Sequence, residues 1–324
     1  MLVLFLSTAL LPTARAEEGG IAEAPAPTAP ADSDNFFFVG GGLAVRPGFS
    51  QDTFTLGGEA EADLRFGVGM VSGRFDLDVT GTVLPDVGIV EAAPDIIPIN
   101  VVRPEWAMLE AAGDSWAARG GIVNAAFGLE DWDDWALYLP THGQYFAATP
   151  GRMAGSEFGW TFGEEGPTVT IGGGLDMDYE EPIVEASVNY ESDGWATWSG
   201  VAVYPAMDTY EAVLGAEVYP ADFMTLALGG VAGMGQGSTF ADVSVYGVFL
   251  PEAMINPTIR VEGNYDPDGW TGAAPWAVSA GGAIVPTDWM KFLIEAKVLG
   301  AEGDPVPGVY ASLCVFRPEL EEEE

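Results

Sequence analysis

Basic residues, cysteine and histidine are all scarce in this chain of 324 residues. Lysine and arginine together number 11 against 49 aspartates and glutamates, which gives a formal net charge of −38. Because no basic stripe is available to neutralise phosphates, we do not expect nucleic acid as a partner. Cys314 is the single cysteine, so neither an intramolecular disulfide nor a cysteine-based metal site can form.

The single histidine, His142, gives no support for an enzyme. No serine spacing around it indicates the pairing of a nucleophile with a base that covalent catalysis needs. We therefore expect no catalytic residues, no metal ligands and no cofactor.

Uncharged runs long enough for a membrane-spanning helix are few. The two candidates are Phe223–Ala241 and Trp270–Thr287. Both contain glycine or proline, which are costly inside helices, and alternation by two dominates over the helical period. The chain is nevertheless 48% hydrophobic and 11% aromatic, which is ample material for a packed or membrane-embedded structure made of strands.

The two ends of the sequence differ in composition from the rest. Residues 1–16 combine the apolar run Leu2–Leu11 with the cleavage pattern Ala14-Arg15-Ala16, which predicts a signal peptide. Residues 17–35 are rich in alanine, proline and acid, which predicts a disordered leader. We expect one folded domain over residues 36–316, followed by an acidic tail at residues 317–324.

Alternation of apolar and polar residues runs through the expected domain. In Val71–Thr80, apolar residues and glycine occupy the odd positions and polar residues the even ones. Turn sequences such as Asp266-Pro-Asp-Gly269 separate these runs. The pattern predicts an all-β fold, a transmembrane antiparallel up-and-down β-barrel of about 16 strands, each of the length that a tilted membrane strand needs. The predicted strands are 36–46, 53–66, 70–83, 104–112, 116–126, 152–163, 166–177, 182–191, 194–204, 209–219, 222–234, 238–249, 254–265, 271–284, 288–299 and 306–316. Because the first, fourth and fifth alternate poorly, 12 or 14 strands stay open.

Two similar turns indicate how such a barrel is oriented. Pro220-Ala-Asp-Phe-Met224 and Pro286-Thr-Asp-Trp-Met290 lie four predicted strands apart, so both belong to the same barrel end. With both termini periplasmic, that end is the periplasmic one, where turns are short. The long connections Leu84–Arg103 and Phe127–Gly151 then lie at the outer end. Aromatic residues cluster at predicted strand ends, as in interfacial girdles: Tyr204, Tyr219, Phe223, Phe249, Tyr265, Trp270, Trp289 and Tyr310.

The polar face of the strands carries most of the basic residues and an excess of carboxylates. In a barrel this face surrounds a water-filled lumen whose negative charge concentrates cations. The residues predicted to line the pore are Arg65, Arg74, Asp76, Asp78, Arg119, Glu185, Glu211, Glu217, Asp242, Arg260, Glu262, Lys291, Glu295 and Lys297. We therefore predict a porin for passive diffusion of small solutes with weak selectivity for cations. A secreted soluble β-sandwich that binds a ligand or calcium, and a non-conducting structural barrel, are the alternatives.

One segment resembles a known family. Arg119-Gly-Gly-Ile-Val-Asn-Ala-Ala-Phe-Gly-Leu-Glu130, followed by the aromatic and acidic run Asp131–Tyr138 and by Pro150-Gly151 and Gly155, resembles the OmpL-like outer-membrane porins and, more weakly, the phosphate-selective porins. The resemblance implies the bacterial outer membrane with its lipid as surroundings and, by analogy with general porins of this size, a homotrimer. The Arg- and Lys-rich lining of phosphate-selective members is absent here, so phosphate selectivity is not carried over.

The same resemblance implies a loop that narrows the pore. In those families a long loop follows the strand that ends in a Phe-Gly-x-Glu-like corner, and here it corresponds to Phe127–Gly151. Its acidic residues would face Arg65, Arg74 and Arg119 on the wall, and they are Glu130, Asp131, Asp133 and Asp134. The alternative is an outer loop that packs on the rim of the barrel.

Overall fold

The structure is a computed structural model that describes residues 36–50, 53–83, 101–124, 139, 152–163, 166–177, 180–221, 223–235, 238–251, 253–268, 274–287, 289–300 and 305–316. The predicted signal peptide, leader and acidic tail lie outside these residues, as do Glu130, Asp131, Asp133 and Asp134. Among the described residues, no helix is long and apolar enough to cross a membrane.

Sixteen strands make up the described part of the chain. Their bounds are β1 Phe36–Ser50, β2 Thr53–Val68, β3 Val71–Val83, β4 Val101–Gly113, β5 Trp116–Asn124, β6 Arg152–Thr161, β7 Thr168–Asp176, β8 Glu181–Ser192, β9 Trp195–Tyr204, β10 Thr209–Ala221, β11 Met224–Gly235, β12 Ser238–Phe249, β13 Ile255–Tyr265, β14 Trp276–Thr287, β15 Met290–Leu299 and β16 Val306–Phe316. This confirms the all-β prediction and the count of 16 strands, so 12 and 14 are excluded.

All sixteen strands form one closed sheet. Each strand pairs antiparallel with its neighbours in sequence, and β1 closes the ring by pairing with β16 over a register that runs from Gly42 opposite Phe316 to Ser50 opposite Gly308. A barrel of this kind has no sheet edge left unpaired. Because a sandwich needs two packed sheets, the soluble β-sandwich alternative is wrong.

The two barrel ends differ in the length of their connections. The turns that share an end with the termini include the two-residue connections at 69–70, 193–194 and 222–223, whereas residues 84–100 and 125–151 connect strands at the opposite end. Gly69 forms the first of these turns at φ 61°, a left-handed conformation that glycine adopts without strain. The predicted division into a short-turn end and a long-loop end is therefore confirmed.

The two proline-containing turns have the same local structure. The β10–β11 pairing shifts register between Val218 and Ala221, and the β14–β15 pairing shifts between Ile284 and Thr287. Each shift spans the proline, which cannot donate a ladder hydrogen bond and is tolerated at a bulge. The residue before each proline donates its N–H to the neighbouring hairpin, Tyr219 to the Gly194 carbonyl and Val285 to the Met254 carbonyl. Both turns lie at the short-turn end, as the two similar turn sequences predicted.

Candidate functional site

The two faces of the wall differ sharply in chemistry. Along β13, Asn256, Thr258, Arg260 and Glu262 are buried, while the residues between them are exposed. The exposed positions around the barrel carry large hydrophobic side chains such as Leu214 and Ile259. Since a closed barrel has only an inside and an outside, the charged residues point inward and the hydrophobic ones outward.

All fourteen residues predicted for the pore lie at strand positions that face the interior of the barrel. Cross-strand pairing connects them with other inward residues, as in Arg119 opposite Glu157 and Tyr246 opposite Arg260. For Asp76 and Asp78 the register alone gives the position, opposite Asp63 and Glu61. The side chains with described burial are Arg65, Arg74, Arg119, Glu185, Glu211, Glu217, Asp242, Arg260, Glu262, Lys291, Glu295 and Lys297.

One group of charges lies on β2 to β6. Arg65 and Arg74 both lie near Asp63, with nitrogen–oxygen distances of 2.5 and 4.0 Å. Arg119 on β5 bridges two neighbouring strands, because its Nε is 2.5 Å from the Glu110 carboxylate on β4 and its Nη1 is 3.9 Å from Glu157 on β6. Glu110, Arg119 and Glu157 lie opposite one another in the register of β4, β5 and β6, so their alternating signs stabilise this row of the inner wall.

A second group of charges, on β12 to β15, is centred on Arg260. Its Nε lies 3.3 Å from Glu262 and its Nη2 lies 3.1 Å from Glu295. Its guanidinium also stacks over the Tyr246 ring at 5.6 Å, and Lys297 approaches Glu262 at 3.9 Å. Arg260 and Glu295 are both fully buried, so this network is held away from water.

Between the two charged groups, buried carboxylates on β6 to β10 lie beside an apolar cluster. Trp198, Tyr204, Val231 and Phe240 belong to a single buried cluster of inward residues. Leu139, which follows β5 in the chain, is fully buried in the same cluster. Leu139 therefore lies inside the barrel, in contact with the wall.

The interior differs in two respects from the sequence prediction. The predicted lumen is water-filled, whereas Glu185, Asp242 and Arg260 are packed with little or no exposed surface. Tyr204 and Tyr310, both predicted for the aromatic girdle, instead lie at inward positions, Tyr310 opposite Glu295. The Tyr204 hydroxyl donates a hydrogen bond to the Asp176 carboxylate at 3.0 Å.

Several inward residues were not predicted. Glu110 was missed because a bulge in the β3–β4 pairing, between Asp76 and Leu77, interrupts the alternation of β4. Glu157 lies at an inward position of β6, where Gly155 and Gly159 weaken the alternation, whereas Asp176 alternates onto the polar face of β7 but was not assigned to the pore. Their charge was the available signal, since Asp176 is the one charged residue of β7 and Glu157 shares β6 only with Arg152.

Comparison with solved structures identifies barrels of the same architecture. OmpT, an outer membrane protein of Vibrio cholerae in its trimer form, matches with a TM-score of 0.58 at 10% identity, over 88% of this chain and 100% of OmpT. A mutant of the Rhodopseudomonas blastica porin matches with a TM-score of 0.61 at 10% identity, over 87% of this chain and 100% of that porin. Salmonella typhi OmpF in complex with daunomycin matches with a TM-score of 0.63 at 10% identity, over 87% of this chain and 98% of OmpF.

This chain has the porin fold. At such low identity the likeness concerns fold alone. No protein-family model and no curated protein sequence matches the chain. The resemblance to OmpL-like porins therefore stays a prediction.

Proposed function

We propose that the protein is an outer-membrane porin that lets small solutes diffuse passively and favours cations. The single observation that carries this proposal is the reversal of the usual faces: large hydrophobic side chains are exposed outside the barrel, and charged side chains lie inside it. In water such an exterior would aggregate, whereas in a bilayer it contacts lipid. The hydrophobic outer surface therefore suits the lipid of an outer membrane.

The preference for cations is supported by the charge of the inner wall. Carboxylates outnumber bases among the buried side chains of the described residues. A net-negative pathway concentrates cations and raises the energy of anions. The packed interior makes this pathway narrow, which favours small solutes over large ones.

A loop that narrows the pore is supported by Leu139. Its side chain is buried against inward residues, so residue 139 contacts the inner wall. The proposed roles of Glu130, Asp131, Asp133 and Asp134 at a constriction, opposite Arg65, Arg74 and Arg119, rest on the Leu139 contact and on the family resemblance. A homotrimer is proposed by analogy with the barrels of the same fold.

The packed interior also favours a second candidate, a non-conducting structural barrel. Two measurements on protein refolded in detergent distinguish the candidates. Migration on SDS gels that changes on boiling identifies the folded barrel in either case. Discrete single-channel steps in a planar bilayer then support the porin, and a bilayer that stays silent with folded protein supports the sealed barrel.

A further inference from the structure

Four buried carboxylates come together on one side of the interior, on β6 to β10. They are Glu157, Asp176, Glu185 and Glu211. The charges that act most directly on Glu185 are those of Glu157 and Asp176, and Asp176 also acts on Glu211. Like charges at such sites repel each other, so the group needs compensation.

Glu157 and Glu185 face each other across a glycine. In the register of the sheet, Gly172 on β7 lies between them, paired with Glu157 on one side and Glu185 on the other. A Cβ atom at position 172 would lie 2.9 Å from the Glu185 Oε1 and 3.0 Å from the Glu157 Cγ. The missing side chain at Gly172 therefore leaves the room in which the two carboxylates meet.

Among the described residues, the group that acts most closely on the Glu185 carboxylate is the carboxylate of Glu157. The Glu185 side chain is only 3% exposed, and when both glutamates are ionised no described group donates a hydrogen bond to either of its oxygens. By contrast, Asp176 accepts a hydrogen bond from Tyr204, and Glu157 lies 3.9 Å from Arg119. The Ser187 hydroxyl, at the next inward position of β8, is also buried without a partner. Two buried carboxylates in contact are relieved either by a shared proton or by a bound cation, and a divalent cation compensates both charges together.

We propose that Glu157 and Glu185 bind a hydrated divalent cation of the calcium and magnesium class, with Asp176 and Glu211 adding to the attraction. Carboxylate oxygens are the preferred ligands of these hard cations, and two carboxylates balance two positive charges. Within the described residues, no three acidic, histidine or cysteine side chains form a ready metal site, so water completes the coordination. The inference rests on the proposed function, because the cation reaches this site through the barrel interior.

The test is calorimetric titration of calcium chloride into the refolded full-length barrel. We expect one saturable site in the unmodified protein, and an affinity lowered about tenfold or more in Glu185→Gln and in Glu157→Gln, since each removes one of two charged ligands. The matched control is Glu191→Gln, because Glu191 lies on the same strand but is exposed. The control should bind calcium as the unmodified protein does.

The inference is overturned if the folded protein shows no saturable calcium binding, or if all three variants lose affinity equally. Should Glu185→Gln fail to refold, the unmodified protein and Glu157→Gln decide the question. Conductance measured on the same preparation separates the two proposals. A conducting barrel that does not bind calcium overturns only the cation site, and a calcium-binding barrel that does not conduct overturns the pore.

Discussion

At the scale of single residues, Arg260 is the most constrained charge in the described interior. It contacts Glu262, Glu295 and the Tyr246 ring, and its side chain is fully buried. Glu262 and Glu295 can be buried because the guanidinium of Arg260 compensates their negative charges. Removing one member of such a network leaves the other charges without compensation.

Replacing Arg260 by methionine should therefore lower the free energy of unfolding by about 3–5 kcal/mol. The measurement is urea unfolding of the barrel in lipid vesicles, followed by tryptophan fluorescence. Lys297→Met serves as control, because Lys297 retains some exposure and approaches its partner only to 3.9 Å, and it should cost clearly less. Equal losses in the two variants would show that Arg260 is not the centre of the network.

At the scale of strands, the inner wall is packed by rings that lie over glycines. A Cβ atom at Gly215 on β10 would lie 2.1 Å from the Trp198 ring on β9, and one at Gly233 on β11 would lie 2.3 Å from the Phe240 ring on β12. The aromatic side chain thus occupies the volume that its cross-strand neighbour leaves free.

We expect Gly215→Ala to displace the Trp198 ring and to destabilise the barrel by about 1–3 kcal/mol through overpacking. Unfolding midpoints and a shift in tryptophan emission report the two effects. Gly263→Ala is the control, since nothing lies within 4 Å of a Cβ atom at that outward position, and it should be neutral. A Gly215→Ala variant as stable as the control contradicts the described packing.

The connection between β5 and β6 gives a functional prediction at the same scale. Leu139 anchors it in the interior cluster, so Leu139→Ala should loosen the anchor and raise the single-channel conductance. Leu250→Ala is a suitable control, because Leu250 is exposed at the short-turn end. An unchanged conductance in Leu139→Ala would show that the connection does not limit the pore.

How far the strands could be predicted depends on whether their two faces differ. On β13 and β15 the faces differ clearly, so Arg260, Glu262 and Lys291 were assigned to the inside from alternation alone. On β9 both faces are largely apolar, with Trp198 and Tyr204 inside and Val201 outside. The inward face of β9 can therefore be assigned only from its register with the neighbouring strand β10. The predicted strand 271–284 was displaced from the observed β14, Trp276–Thr287, because a bulge lets the strand continue through Pro286.

At the scale of the whole molecule, closure of the barrel joins β1 to β16. Ala44 lies opposite Cys314 in this seam, and both are buried. Directly paired residues of antiparallel strands have Cα atoms about 4.5–5.5 Å apart, within the range that a disulfide spans.

Ala44→Cys should therefore form a disulfide with the native Cys314 when the folded barrel is oxidised. Non-reducing gels of boiled samples report it as a faster-migrating band that reductant removes. Leu43→Cys is the control, because Leu43 faces outward, opposite Val315, and should stay unlinked. If Ala44→Cys forms no disulfide, or if Leu43→Cys forms one equally well, the described closure is wrong.

The charge of the interior could be predicted from the sequence, whereas its packing could not. Composition gave the excess of carboxylates, and alternation gave their side of the wall. That Glu157 and Glu185 meet over Gly172 depends on the register of three strands, which no local pattern specifies.

The measurement that tests the central claim most directly is the zero-current potential of the reconstituted barrel in a planar bilayer under a gradient of potassium chloride. The account predicts discrete conducting steps and a potential of the sign that potassium selectivity produces, because carboxylates dominate the buried charge of the inner wall. A potential of the opposite sign, showing chloride selectivity, would contradict the account, and so would the absence of any conductance from correctly folded protein.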